Sequence, residues 1–193
     1  MPKVFEEKLT WKGHKRRWSS CEDCELCETR NKVVLGRGKI PCDILFIGEA
    51  PGAAENVLGH PFIGPAGHLL DRIIAHSVPK GLRLAFTNLV GCIPLEGGSK
   101  AKGPPRGSIE ACSDRLKEFV QLARPKAIVC VGKLTAKYLL DDEFFIDHSR
   151  YMVEILHPAY ILRADESQKG LAVQRCEVVL EDLVGGCFSD SDE

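Results

Sequence analysis

The chain-wide averages of this sequence point nowhere in particular, and what is missing is the first useful reading. The 193 residues carry 26 Lys and Arg against 27 Asp and Glu, a formal net charge of −1. The average therefore gives no bias toward polyanions. No apolar run approaches the ~20 residues that a membrane-spanning helix needs. No N-terminal secretory pattern is present, and no internal repeat is evident. One domain with a sizeable core is the natural reading, with no membrane partner and a cytoplasmic, nucleoid-associated location expected. These absences give the nine cysteines their meaning. In a chain of this kind they call for metal ligation before disulfides.

Charge is unevenly distributed even though it sums to almost nothing. Lys3, Lys8, Lys12, Lys15, Arg16 and Arg17 stand against only Glu6 and Glu7 in the first eighteen residues. Lys100, Lys102 and Arg106 lie in a Gly/Pro-rich stretch without an acid, and residues 189–193 are acidic. Basic segments beside a cleft suit a polyanionic ligand, although solvated surface has the same composition. The expected organisation is a weakly ordered basic lead-in arm over residues 1–20, anchored by Trp11 and Trp18. A single domain follows over 21–186, then an acidic tail over 187–193.

Short apolar runs at residues 43–47, 84–88, 127–131 and 151–156 read as strands. Helical spacings recur at 67–76, 108–123, 132–140 and 170–184. Strands alternating with helices predict a parallel sheet with helices on both faces and right-handed crossovers. The richest stretch is DILFIGEAPGAAENVLGHPFIGPAGHLL, residues 43–70. A buried strand there gives way to a loop holding Glu49, Glu55, His60 and Phe62. Ligands of open α/β sheets bind where strand carboxyl ends meet such loops. A carboxylate with a ring a few residues on suggests a pocket for something flat.

Cys21, Cys24 and Cys27 form the densest cysteine cluster, and thiolates are what iron–sulfur clusters and structural zinc require. Cys92 ends a strand-to-loop segment, and Cys112 falls near the first turn of a helix. Cys42, Cys130, Cys176 and Cys187 read as small buried hydrophobes. Spacing does not decide between the two metals, nor which of the first five cysteines are ligands.

GEAPG, GHPFIGPAG, FTNLVGC, the helix start EAC and LHPAYILR occur in that order, after the opening CEDCELCETRNKVVLGRG. Together these blocks resemble the family 4 uracil-DNA glycosylases, an iron–sulfur branch of the uracil-DNA glycosylase superfamily. The match covers residues 21 to 163. The resemblance implies a three-layer α/β/α sandwich around a four-stranded parallel sheet. It also implies a [4Fe–4S] cluster on Cys21, Cys24, Cys92 and Cys112, with Cys27 outside the set.

The resemblance further implies roles, and each suits the chemistry of its residue. Phe62 matches the base-stacking ring. Asn88, at a strand end, has an amide that donates to uracil O4 and accepts from N3–H, where cytosine presents the opposite pattern. His157 is placed as a donor to the uracil anion. Glu49 faces the sugar, while Ala50 stands where related branches carry an acid, so a strong general base is missing there. Glu55 matches an acid that lines the pocket, blocking a 5-methyl group or holding a water. The backbone at Ala50 and Gly52 is expected to approach the base. Lys100, Lys102, Arg106 and Arg163 are expected at phosphates, and Tyr160, Ile161 and Leu162 as apolar wedges. The 95–108 loop contains no histidine, which argues against the covalent trapping of a related branch.

Plain structural alternatives exist for each of these residues: a core ring, a turn amide, a satisfied histidine, a turn carboxylate. The function so implied is a monofunctional, monomeric glycosylase acting on uracil in single- or double-stranded DNA, with replication or repair proteins as possible partners. The competing classes are an inactive DNA-binding module of the same fold and an electron-transfer protein. The last gives no reason for Asn88 or for the HPA motif.

Overall fold

A computed structural model describes residues 9–96, 99–100 and 103–188, with positions 96, 99 and 100 described by backbone alone. Helix α1 (Trp11–Trp18) is followed by a short 3-10 turn, Glu25–Cys27. Strands β1 (Arg37–Gly38), β2 (Ile44–Gly48) and β3 (Leu84–Asn88) come next, with α2 (Ala53–Leu58) and α3 (Pro65–Ser77) between the latter two. A small antiparallel ribbon, β4 (Leu95–Glu96) and β5 (Ser99–Lys100), precedes α4 (Arg106–Ala111) and α5 (Ser113–Ala123). Then follow β6 (Ala127–Val131), α6 (Lys133–Leu139), α7 (Glu143–Asp147), β7 (Tyr151–Ile155), α8 (Pro158–Arg163) and α9 (Glu166–Phe188).

The sheet order is β1-β3-β2-β6-β7. Its last four strands are parallel, at the positions the apolar runs predict to within a residue. The fifth, β1, is a two-residue antiparallel edge that a pattern search cannot see. Alternation along β2 explains the continuous apolar run. Leu45 and Ile47 enter one core, with Leu116, Phe119 and Val120 of α5. Ile44 and Phe46 enter the other, with Leu70 and Ile73 of α3 and Leu180 of α9. Both faces of the strand are dry, as in a parallel sheet covered by helices on each side. Among the described residues no helix is long and apolar enough to cross a membrane.

Three expectations are corrected. The basic lead-in is not loose over residues 11–18. It is a helix capped by Thr10, whose side chain accepts from the Gly13 N–H at 3.1 Å. Its buried His14 bonds Glu118 Oε1 at 3.0 Å, and Arg17 bonds Glu118 Oε2 at 2.7 Å. The helix predicted over 108–123 is two helices that meet at Cys112, the C-cap of α4 and the N-cap of α5. The final helix runs to Phe188, into the span read as an acidic tail, because apolar Leu183, Val184 and Phe188 continue to pack on the second core.

Candidate active site

The order of the parallel strands creates a crevice. The chain leaving β2 returns to β3 on one side, whereas the chain leaving β6 crosses to β7 on the other. Between β2 and β6 the carboxyl ends therefore open into a gap, the usual ligand position in such sheets. Glu49 follows β2, Asn88 ends β3, Gly132 follows β6 and His157 follows β7. Four separated stretches of sequence thus reach one place.

Two glycines set the distances. A Cβ at Gly48 would lie 2.5 Å from Asn88 Oδ1 and 2.5 Å from Phe62 Cζ, so only a bare Cα lets the amide and the ring close on this strand end. Gly132 holds φ +98°, and a Cβ there would meet His157 Cβ at 2.9 Å and Glu49 Oε1 at 3.4 Å. Glu49 and His157 are therefore neighbours across a gap that a larger residue would fill. Two adjoining hollows result. One, of about 700 Å³, is walled by Glu49, Gly132, His157 and Tyr160. The other, of about 540 Å³, is walled by Gly52, Phe62, Asn88 and Leu162. They share Ala50, His157, Ala159 and Arg163.

Each side chain is held from behind. The Leu89 and Val90 N–H groups donate to Gly48 O (2.8 Å) and Glu49 O (3.2 Å), locking the ends of β3 and β2 together beside Asn88. Phe62 has φ +56°, a costly conformation for a bulky residue. Arg37 fixes it there, donating to Pro61 O at 2.8 Å and Phe62 O at 3.3 Å while pairing with Asp71 at 2.8 Å. The Phe62 ring is 7% exposed and packs on Phe86, centroids 6.0 Å apart. His157 caps α8: its Nδ1 accepts from the Ala159 N–H at 3.1 Å. A ring whose Nδ1 accepts is neutral and carries its proton on Nε2.

Glu55 lines the hollow beside Phe62 and Asn88, as expected, but its carboxylate is engaged by the backbone. Its carboxylate accepts from the N–H groups of Gly52 (3.0 Å), Ile63 (3.1 Å) and Gly64 (3.0 Å). It ties the two sides of the loop together and is 8% exposed. Tyr160 and Leu162 are exposed beside the hollows, but Ile161 is buried in the core and is no wedge. Arg163 is exposed. Arg106 is exposed and paired to Glu110 at 2.7 Å, which offsets its charge. Lys102 and the Lys100 side chain lie outside the described residues.

The four cysteines Cys21, Cys24, Cys92 and Cys112 converge from three chain segments. Cys92 feels the other three electrostatically, and Cys21 feels Cys112. None is in a disulfide. Ser108, buried at the end of the basic loop, donates to Glu25 Oε1 at 2.9 Å and ties the Cys24 segment to α4. Among the described residues no three His, Cys, Asp or Glu side chains stand close enough to hold a single metal ion. A four-iron cubane is larger than one ion, so its thiolates stand further apart than the ligands of a mononuclear site. The donor set fits it, being wholly sulfur. So does Arg30: its Nη1 is buried with no acceptor, and its charge acts on Cys92. An orphaned donor beside converging thiols suits an anionic group lodged among them. Cys42 and Cys130 are the buried hydrophobes expected, their thiols pushed up to about 12 by burial. Cys176 is buried as well, whereas Cys187 is partly exposed.

Sequence reasoning missed Gly132, Arg37 and, above all, Arg115. Arg115 donates to Asn88 O at 2.5 Å and Leu89 O at 3.0 Å from full burial. The available signal was a cation standing on the apolar stripe of α5, where a solvent-facing residue has no place.

Comparison with known proteins gives a consistent answer. A family model described as the uracil DNA glycosylase superfamily matches residues 35–182. The type-4 uracil-DNA glycosylase of Archaeoglobus fulgidus is 33% identical over 164 residues, covering 76% of this chain and 80% of that one. That of Thermotoga maritima is 28% identical over 178 residues, covering 86% and 88%. That of Saccharolobus solfataricus is 38% identical over 120 residues, covering 62% and 54%. The crystal structure of wild-type Pedobacter heparinus SMUG2 superposes with a TM-score of 0.58 at 14% identity, covering 74% of this chain and 76% of that one. That last likeness is one of fold alone.

Proposed function

The chain belongs to the uracil DNA glycosylase superfamily, among its type-4 members, and from that premise we propose that it excises uracil from DNA. It hydrolyses the N-glycosidic bond and leaves an abasic site. One observation carries the reading: Asn88, Phe62, His157 and Glu49 meet at one end of the sheet, around two glycines that leave them room.

The geometry supports the following division of labour. The hollow between Phe62 and Asn88 takes the flipped base, whose extraction costs a few kcal/mol. The Asn88 amide reads O4 and N3–H, and its near-total burial makes the wrong edge expensive, since unmatched polar groups there find no water. As the bond breaks, negative charge grows on the base at O2. His157 meets it as a neutral Nε2–H donor rather than as an acid, because its Nδ1 is occupied by the Ala159 N–H. Glu49, across Gly132 from His157, lies on the sugar side and stabilises the oxocarbenium-like ring. With Ala50 carrying no acid, water adds to a cation already formed, and Glu49 orients it.

The wider hollow beside Glu49 takes the sugar and its phosphates, with Arg163 at the rim and Tyr160 and Leu162 pressing into the duplex. Lys100 and Lys102 give the Gly/Pro-rich stretch before α4 a positive charge for phosphates, whereas that of Arg106 is offset by Glu110. The protein works as a monomer on DNA. Cys21, Cys24, Cys92 and Cys112 would hold a [4Fe–4S] cluster, which would crosslink the N-terminal segment, the turn after β3 and the start of α5. The cluster takes no part in bond cleavage.

The test is an alkali nicking assay on uracil-containing oligonucleotides. Asn88→Ala and His157→Ala should each lower the excision rate by at least ~10²-fold, as expected for loss of one preorganised donor worth about 3 kcal/mol. Wild-type protein that binds such DNA without any turnover would sink the proposal in favour of an inactive binding module.

A further inference from the structure

Arg115 is the side chain least explained by folding. It is 1% exposed and lies in the first turn of α5, three residues past Cys112. A cation in a first turn opposes the helix dipole, and a buried guanidinium is costly unless its donors are answered. Helix formation gives no reason for it.

Its acceptors do. Nη2 donates to the carbonyls of Asn88 (2.5 Å) and Leu89 (3.0 Å), and Nη1 donates to Thr87 Oγ1 (3.3 Å). Thr87 in turn donates to Leu35 O at 2.8 Å. The three acceptors are consecutive residues where β3 leaves the sheet. The N–H groups of the same turn are held by Gly48 O and Glu49 O. Arg115 therefore completes the fixation of this turn, answering its carbonyls as β2 answers its N–H groups. The turn carries the Asn88 amide.

We propose that Arg115 is the positioning residue for base selection: it holds the Asn88 backbone so that the amide presents one fixed edge, and it links that edge to the cysteine-bearing segment at Cys112. The inference rests on the reading of Asn88 as the group that recognises uracil. Lysine cannot replace Arg115, because one ammonium does not span three acceptors with the geometry of a planar fork. Loss of the fork lets the turn relax and the amide rotate. The consequence is slower chemistry and weaker rejection of cytosine, with DNA binding left intact.

The experiment compares Arg115→Lys, Thr87→Val, Leu116→Ala and Asn88→Ala with the wild-type full chain. Excision of uracil and of cytosine, KM for DNA and the urea midpoint are measured for each. Leu116 is the control: it is buried in the same helix, 3% exposed, and has no hydrogen bond to the turn. Arg115→Lys should lower kcat by about 10²-fold, the usual consequence of a misplacement near 1 Å, with KM for DNA little changed. The ratio of uracil to cytosine excision should fall at least ~10-fold. Thr87→Val should move the same quantities in the same direction by less, and it decides the matter alone if Arg115→Lys does not fold. Leu116→Ala should lower the urea midpoint and leave kcat and the ratio unchanged.

An Arg115→Lys protein that folds and keeps wild-type kcat and selectivity overturns the proposal. So does Leu116→Ala if it relaxes selectivity equally, for then any loss of packing suffices. An Asn88→Ala protein that still rejects cytosine fails in a different arm: it removes the base-reading role of Asn88, and this inference with it.

Discussion

Glu55 gives the sharpest test of how the pocket loop is built. Its two carboxylate oxygens answer three backbone N–H groups: Gly52 on one oxygen, Ile63 and Gly64 on the other. Hydrogen bonds to a charged acceptor contribute about 1.5–3 kcal/mol each, and a buried N–H left unanswered costs about 1–3 kcal/mol. In Glu55→Gln the amide oxygen keeps Ile63 and Gly64, but the NH2 group faces the Gly52 N–H, donor against donor. One charge-assisted bond is lost and two are weakened, for about 2–3 kcal/mol. In Glu55→Ala all three donors lose their partner, and water entering from the hollow answers only some of them, for about 3–5 kcal/mol. Urea denaturation with linear extrapolation measures both. Excision at a temperature where each variant is folded should then fall in the same order, Ala below Gln below wild type, since Gly52 and Gly64 line the base hollow. A Glu55→Gln protein with an unchanged urea midpoint and no activity would refute the reasoning, because the carboxylate would then belong to the chemistry and not to the loop.

Other outcomes follow from the same structure. Arg30→Gln should weaken cluster retention roughly tenfold, the usual scale for an outer-shell donor, read as faster loss of iron and of visible absorbance under oxidant; a colourless wild type would instead remove the cluster. Burial depresses the His14 pKa below its ordinary 6.5, so the undocked helix binds a proton that the docked helix refuses. Docking of α1 is then fully stable above that value and weakens as pH falls through it. Both tryptophans, Trp11 and Trp18, lie in α1, so their fluorescence should shift to the red below about pH 6.5 in wild type and not in His14→Phe. Tyr160→Ala and Leu162→Ala should slow excision from duplex DNA by tenfold or more, about the worth of part of one unstacked step, while sparing single strands; equal losses on both substrates would end the wedge assignment.

The legible parts of the fold were those set by local apolar pattern. The two central strands, β2 and β6, are dry on both faces and read as unbroken apolar runs, while β3 ends in polar Thr87 and Asn88 and β7 is a half-exposed edge interrupted by Glu154, each with enough apolar residues to be placed from sequence. Strand β1 was invisible because two residues carry no period. Helix α1 was misread because its charges are real, while what docks it is long-range: His14, which is buried, and Arg17 both reach Glu118, and Trp11 packs on Phe119, across more than a hundred residues of sequence. The break at Cys112 was hidden because apolar spacing runs on through it, and only the backbone records the change of axis. The residues that meet at the site were found as motif members. Their supports were not, since Arg37 and Arg115 act mainly on backbone carbonyls distant in sequence and Gly132 acts by leaving room for Glu49 and His157.

A common rule links those supports. The base hollow is built from loops beyond the strand ends, where the ladder no longer satisfies the backbone, and charged side chains answer those loops, Glu55 and Arg115 from burial and Arg37 from a partly exposed position. Glu55 takes the N–H groups of the first loop, Arg37 the carbonyls at Pro61 and Phe62, and Arg115 the carbonyls at Asn88 and Leu89. Charged groups suit the task because several strong bonds converge on one rigid fork or carboxylate and offset its desolvation. The arrangement fits a pocket that must choose between bases differing at two ring positions. Apolar packing tolerates shifts of a few tenths of an ångström, whereas a misaligned buried hydrogen bond does not. Discrimination in this protein should therefore fail first at the supports, with Asn88, Phe62 and His157 still in place.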